Sequence, residues 1–118
     1  MGLHNVKTFS KFVATLPAVT LVEQWESHVA KVGGKVFALI NLDGEHMAFK
    51  VMELSFEGLT AIDGIAQAPY FAKRAWVSVR RGADIADADL KAYVAASHRM
   101  VAGKLTKKLR AELRLTEL

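Results

Sequence analysis

Apolar residues recur at helical spacing at the start of this chain, where Val6, Phe9, Phe12, Val13 and Leu16 share one stripe. The pattern predicts a helix over roughly residues 3–15 that stops before Pro17, because the residue preceding a proline avoids the helical region. Thr20 to Trp25 mixes apolar and acidic residues without a period and reads as a loop or short turn. Residues 28–32 and 35–42 then read as two strands around Gly33-Gly34, a dipeptide suited to a two-residue hairpin turn because it accepts positive φ. Lys35 to Leu42 is apolar on both faces, as a central, covered strand is. Asp43-Gly44 marks a second turn. From His46 to Met52 the period becomes two, with Met47, Phe49 and Val51 on one face and His46, Ala48 and Lys50 on the other.

Ser55 is placed to cap a short helix with Phe56, Leu59 and Ile62 on its apolar side. Residues 63–70 carry Gly64 and Pro69 and read as irregular. Residues 75–80 form a further strand, with Val77 and Val79 on one face and Trp76, Ser78 and Arg80 on the other. Arg81 to Asp84 is a turn. Asp87 then caps a long helix whose stripe is Leu90, Val94, Ser97, Val101 and Leu105; Gly103 kinks or ends it, and Leu105, Leu109 and Leu113 carry the stripe onward. The connections are mostly too short for parallel crossovers. The expectation is therefore one α+β domain over residues 1–118, a mainly antiparallel sheet of about four strands with N-terminal and C-terminal helices. A Trp in a strand is usually core, so Trp76 is expected to be at least half buried.

Composition changes this picture only in places. With 118 residues, 52% hydrophobic and 24% charged, the chain has the balance of one globular domain rather than a disordered segment. There is no cysteine, which excludes disulfides and thiolate chemistry and fits a reducing compartment. The N-terminus shows no charged-then-apolar leader and no apolar run is long enough for a membrane span, so a cytoplasmic protein is expected. The charge is more telling. Residues 1–98 carry equal numbers of basic and acidic residues. Arg99, Lys104, Lys107, Lys108, Arg110 and Arg114 stand against Glu112 and Glu117, so the whole net charge of +4 lies after residue 98. A localised basic segment is the footprint of a polyanion partner. It is equally what a solvated helix shows near its negative end.

The remaining candidates divide in the same way. Lys50 and the Trp76–Ser78–Arg80 face would join a cation, an aromatic platform and a basic tip, the mixture of nucleic-acid grooves; the alternative is a buried Trp76 with Lys50 and Arg80 reaching the rim. Lys73-Arg74 beside Pro69, and Lys35 beyond Gly33-Gly34, are either anion contacts or exposed loop cations. Ser97 lies on its helix's apolar stripe and is expected to bond a carbonyl of the previous turn. His98 is about 100° further round, so the two are no catalytic pair. His4, His28, His46 and His98 lack metal-ligand spacing, and Asp84, Asp87 and Asp89 lack a calcium-loop pattern; helix capping explains the latter. Gly33-Gly34 is no phosphate loop. No catalytic motif, cofactor or metal is expected.

Several segments together resemble the MmcQ/YjbR-like family of small bacterial proteins: Val32 to Leu39, Phe49-Lys50-Val51, Ala68-Pro-Tyr-Phe-Ala-Lys-Arg-Ala-Trp-Val-Ser-Val79, and Ser97-His-Arg-Met-Val101 running into Lys104 to Lys108, with Glu23, Trp25 and His28 upstream. The resemblance spans roughly residues 8–110. It implies a double-wing α+β fold, similar to the DNA-binding domain of a phage transcription activator, and with it a DNA-binding role. Ala30 departs from the bulkier aromatic residue common in that family's first strand. The expected function is a non-enzymatic nucleic-acid-binding module. Its contacts would be Lys104, Lys107, Lys108 and Arg110 on one basic helix, with Lys50, Lys73, Arg74, Trp76 and Arg80 around the sheet. The alternative is a module for an acidic protein or a small anionic metabolite. No membrane partner is expected, and a monomer is favoured.

Overall fold

Asn5 opens the first helix by accepting the Thr8 N–H on its Oδ1 at 3.0 Å, a side-chain cap on an otherwise unpaired donor. In the computed structural model, which describes residues 2–115, this helix is α1 (Val6–Ala14). There follow β1 (Val19–Gln24), β2 (Ser27–Val32), β3 (Lys35–Asn41), β4 (His46–Lys50), α2 (Glu53–Thr60), β5 (Ile65–Gln67), β6 (Trp76–Arg80), α3 (Asp87–Gly103) and α4 (Lys107–Glu112). The strands form a six-stranded sheet in the order β1-β2-β3-β4-β6-β5, antiparallel throughout.

The α+β class and the antiparallel meander are as expected, but the sheet has six strands rather than four. Both additions are edge strands. The segment read as a loop, Thr20 to Trp25, is largely β1, joined to β2 by a two-residue turn in which Trp25 and Glu26 have φ of 53° and 55°. Such a turn follows the strand twist and is normally signalled by Asn or Gly; here two unsuited residues make it. The irregular segment 63–70 contains β5, three residues paired with β6. The turn at Gly33-Gly34 is present, with φ of 58° and 80°. A Cβ on Gly33 would also lie 2.5 Å from Leu105 Cδ1, so the Leu105 side chain would have to shift, and glycine is favoured there on two grounds.

All the described helices pack on one face of the sheet. Phe9 and Val13 from α1, Leu59 from α2, and Leu90, Val94 and Val101 from α3 close over Ala38, Ile40, Met47, Phe49, Val77 and Val79. Phe37 is the extra residue of a bulge: Ala30 pairs with Ala38 and Lys31 with Val36. Ser97 answers this irregularity. Its Oγ donates to the Phe37 carbonyl at 2.6 Å and accepts the Lys50 N–H at 3.0 Å. Ser97 is buried as expected, but it bonds two strands rather than its own helix, because the bulge leaves a carbonyl and an N–H that need a partner.

Two caps differ from expectation. Met52, not Ser55, precedes α2, and Ser55 lies inside it. Ala86 precedes α3, which puts Asp87 in the first turn; its Oδ1 accepts the Leu3 N–H at 2.6 Å and ties down the N-terminal segment. Gly103 does end α3. Thr106 starts α4 by accepting the Leu109 N–H. Lys104 therefore lies between the helices, and does not share one helix with Lys107, Lys108 and Arg110.

Candidate functional site

The face of the sheet turned away from the helices is partly open. At the Lys50 end it is closed by a small second cluster of Val29, Leu39, Ala48, Ala68 and Trp76. Its cover is the loop 68–75, whose Phe71 ring stacks on Trp76 with centroids 4.1 Å apart. Gln67 fixes that loop, donating from Nε2 to the Ala68 carbonyl and accepting the Arg74 N–H on Oε1. Arg74 is anchored as well, at 3.1 Å from both Glu53 and Glu57, and these carboxylates raise its pKa.

Toward the other end of the strands this face becomes a trough of about 900 Å³. Leu39, Ala48, Ala66 and Ser78 are its floor, small side chains for the most part, set side by side by the strand register. Trp25, on the β1–β2 turn, walls one side and is 62% exposed; Tyr70, on the loop 68–75, walls the other and is fully exposed. Tyr70 has φ of 70°, so both wall aromatics sit on backbone that most side chains avoid. Polar groups line the trough. Asn41 Nδ2 donates to Ser27 Oγ, which donates to the Trp25 carbonyl and steadies the turn. His46 and Arg80 are cross-strand partners at one end. The only ion pair of Arg80 among the described residues is a long one, 3.7 Å to the exposed Asp63.

The residues singled out from the sequence fall into separate places. Lys50, Trp76, Ser78 and Arg80 do lie on one face, but Trp76 is only 7% exposed, beneath Phe71. It is core, and no stacking platform; the loop buries it, not the helices. Arg80 is in the trough. Lys73 is exposed on the loop beside the anchored Arg74. Lys50 ends β4 about 13 Å of strand away from the level of Arg80, beside Lys104. Burial first, and the Lys104 ammonium group second, lower the Lys50 pKa. Lys107 and Lys108 are exposed on α4, and Arg110 is half-buried. Among the described residues, Lys50 and Lys104 stand together at one end of the sheet and Arg80 lines the trough at the level of His46. His98 is buried against Phe37, and its Nε2–H donates to the Pro17 carbonyl at 2.8 Å; burial lowers its pKa, which keeps the ring neutral.

Sequence reasoning passed over Trp25, Tyr70, Asn41 and His46. The available signal was the small residues Ala48 and Ser78 on the face opposite the core, since small side chains there leave room. Among the described residues, no three His, Cys, Asp or Glu side chains meet as a metal site, and no helix is long and apolar enough to cross a membrane.

An antiparallel sheet with helices on one face and a trough on the other defines an α+β domain of the open-faced kind. The YjbR family model matches residues 14–100, most of the chain, and the chain belongs to that family. Its fold is similar to that of protein DR2400 of Deinococcus radiodurans, a DUF419-domain protein, at 25% identity and a TM-score of 0.83, over 92% of this chain and 87% of that one. It is also similar to a Pseudomonas syringae protein at 16% identity and a TM-score of 0.68, over 82% of this chain and 98% of that one. No curated protein matches in sequence.

Proposed function

We propose that the protein is a non-enzymatic nucleic-acid-binding module that takes a single strand on the open face of the sheet. Bases stack on Trp25 and Tyr70, and a phosphate meets Arg80 and His46. The observation that carries this reading is the pair of exposed aromatic walls on either side of a floor of small side chains. The walls rise from the β2 and β5 sides of the sheet, four inter-strand steps or about 19 Å apart along a flat sheet. One planar ring does not span that width; a short strand with successive bases does. Stacking needs free base faces, which a duplex hides.

Charge separates this site from the basic C-terminal segment. One or two cations in the trough imply a shallow salt dependence, about −0.7 per phosphate on a single strand. Contact through Lys104, Lys107 and Lys108 instead implies a steep one. The alternative partner, a small anion or an acidic protein, is favoured by one observation: Lys50 and Lys104 crowd together and neither forms an ion pair among the described residues.

The test is fluorescence anisotropy of a labelled random ten-mer, single-stranded and duplex, at several salt concentrations. The single strand should bind more tightly, with a slope near −1. Trp25→Ala and Tyr70→Ala should each weaken it by about 5-fold to about 150-fold, the range for losing one stacked base, while joint replacement of Lys104, Lys107 and Lys108 by Ala changes little. Duplex preference with a steep slope, flattened by about 2–3 units in the triple variant, would move the site to the C-terminal segment. No binding of either would leave the small-anion or acidic-protein reading.

A further inference from the structure

The sheet ends in two edges, β1 and β5. β5 is three residues long with α2 packed against it. β1 is different. It runs for six residues, Val-Thr-Leu-Val-Glu-Gln, with one charge, no proline and no break in its register. Native edges are kept from pairing by shortness, lysine, proline, bulges or a covering element. α1 packs against β1, yet Leu21 and Val22, on opposite faces, are 37% and 38% exposed.

The direction of the free backbone groups follows from the turn. A two-residue turn at Trp25–Glu26 sets the Gln24 carbonyl against the Ser27 N–H. By alternation Thr20, Val22 and Gln24 give their backbone groups to β2, and Val19, Leu21 and Glu23 aim theirs outward.

We propose that β1 is a homodimer interface, pairing antiparallel with β1 of a second copy about a two-fold axis perpendicular to the sheet at Leu21. Such an axis keeps like faces on the same side, so each residue opposes one of the same parity. Leu21 then meets the partner's Leu21, and Val19 meets the partner's Glu23; all of these carry outward groups that bond in pairs. Thr20 meets the partner's Val22, two β-branched side chains suited to a pleated surface. The lone acid, Glu23, never faces its own copy. A β5 edge is too short to do the same, and a self-complementary strand closes as a dimer rather than growing into a fibre. Both troughs then lie on the same side of one continuous sheet.

The test is sedimentation of the full chain from about 1 µM to about 1 mM, a range that covers weak association. The wild type should pass from monomer to dimer. L21K and L21E should each stay monomeric, because like charges meet across the axis, with circular dichroism and melting close to wild type. An equimolar mixture of the two should restore a one-to-one dimer. A wild type that stays monomeric throughout, a dimer that L21K leaves intact, or a mixture that does not associate would each overturn the proposal. None of these outcomes depends on whether the trough binds nucleic acid.

Discussion

Along β4 the two faces of the sheet can be compared residue by residue. Met47 and Phe49 point to the helices and are fully buried, while His46 and Ala48 point to the trough and Lys50 to its far end. On the helical side, large apolar side chains from helices and strands interlock; the buried Ser97 and His98 are hydrogen-bonded, while Arg110 Nε on α4 is buried with no partner among the described residues. On the other side, beyond the cluster of Val29, Leu39 and Trp76, the strands offer small or polar side chains, and the exposed aromatics Trp25 and Tyr70 stand at the margins on a turn and a loop. A folded sheet needs only one packed face. The second is free to differ, and here it keeps volume where the first fills it.

Replacing Phe49 and Trp76 by Ala in turn measures this difference most directly. Phe49 lies deep among rigid elements, stacked with Tyr93 at 6.1 Å, and its loss should cost about 4–5 kcal/mol. Trp76 is covered by a single loop that can settle into the space, so its loss should cost about 3 kcal/mol. Chemical denaturation gives both values; equal costs would mean that the open face is packed as firmly as the core. Next in size is Ser97→Ala, which leaves the Phe37 carbonyl and the Lys50 N–H without their partner and should cost about 1–3 kcal/mol. A near-neutral result would show that a water replaces the hydroxyl.

Trp25→Gly should move stability the other way. Glycine takes φ of 53° without the steric penalty Trp25 carries, so the melting temperature should rise by the equivalent of about 1 kcal/mol, while single-strand binding falls. If stability drops instead, Trp25 is part of the packing and not a free wall. The smallest effect is one of pH. His98 is held neutral, its folded pKa below the ordinary value of about 6.5. Its contribution is complete above that value and is lost as pH falls from there through the lowered folded one, because the unfolded chain takes the proton first. Melting curves from pH 8 to 5 should show the decline in wild type, and less of it in His98→Gln.

The sequence was legible where periodicity is imposed by burial. β4 and β6 have one face against the helices, so Met47, Phe49, Val77 and Val79 alternate and both strands could be read. β1 is exposed along much of its length, and its residues keep no such alternation; β5 is too short to show a period. The trough was hidden for the same reason. Its walls belong to Trp25 and Tyr70, which sit on left-handed backbone that no local rule assigns to aromatics. Its membership depends on register between strands distant in sequence, as with His46 and Arg80. The Ser97 hydroxyl was assigned to its own helix because a bulge at Phe37 leaves no composition signal.

That hydroxyl also bears on the order in which the molecule assembles. Between Phe37 and Lys50 the rungs of the β3–β4 ladder are bridged by an atom from α3, dozens of residues later in the chain. The hairpin cannot complete this end of itself while the helix is undocked, so sheet and helix are joined into one cooperative unit. The Lys50 amide is the natural reporter. In native-state hydrogen exchange it should open only with α3, at the free energy of that docking, and not with the fraying of a strand end.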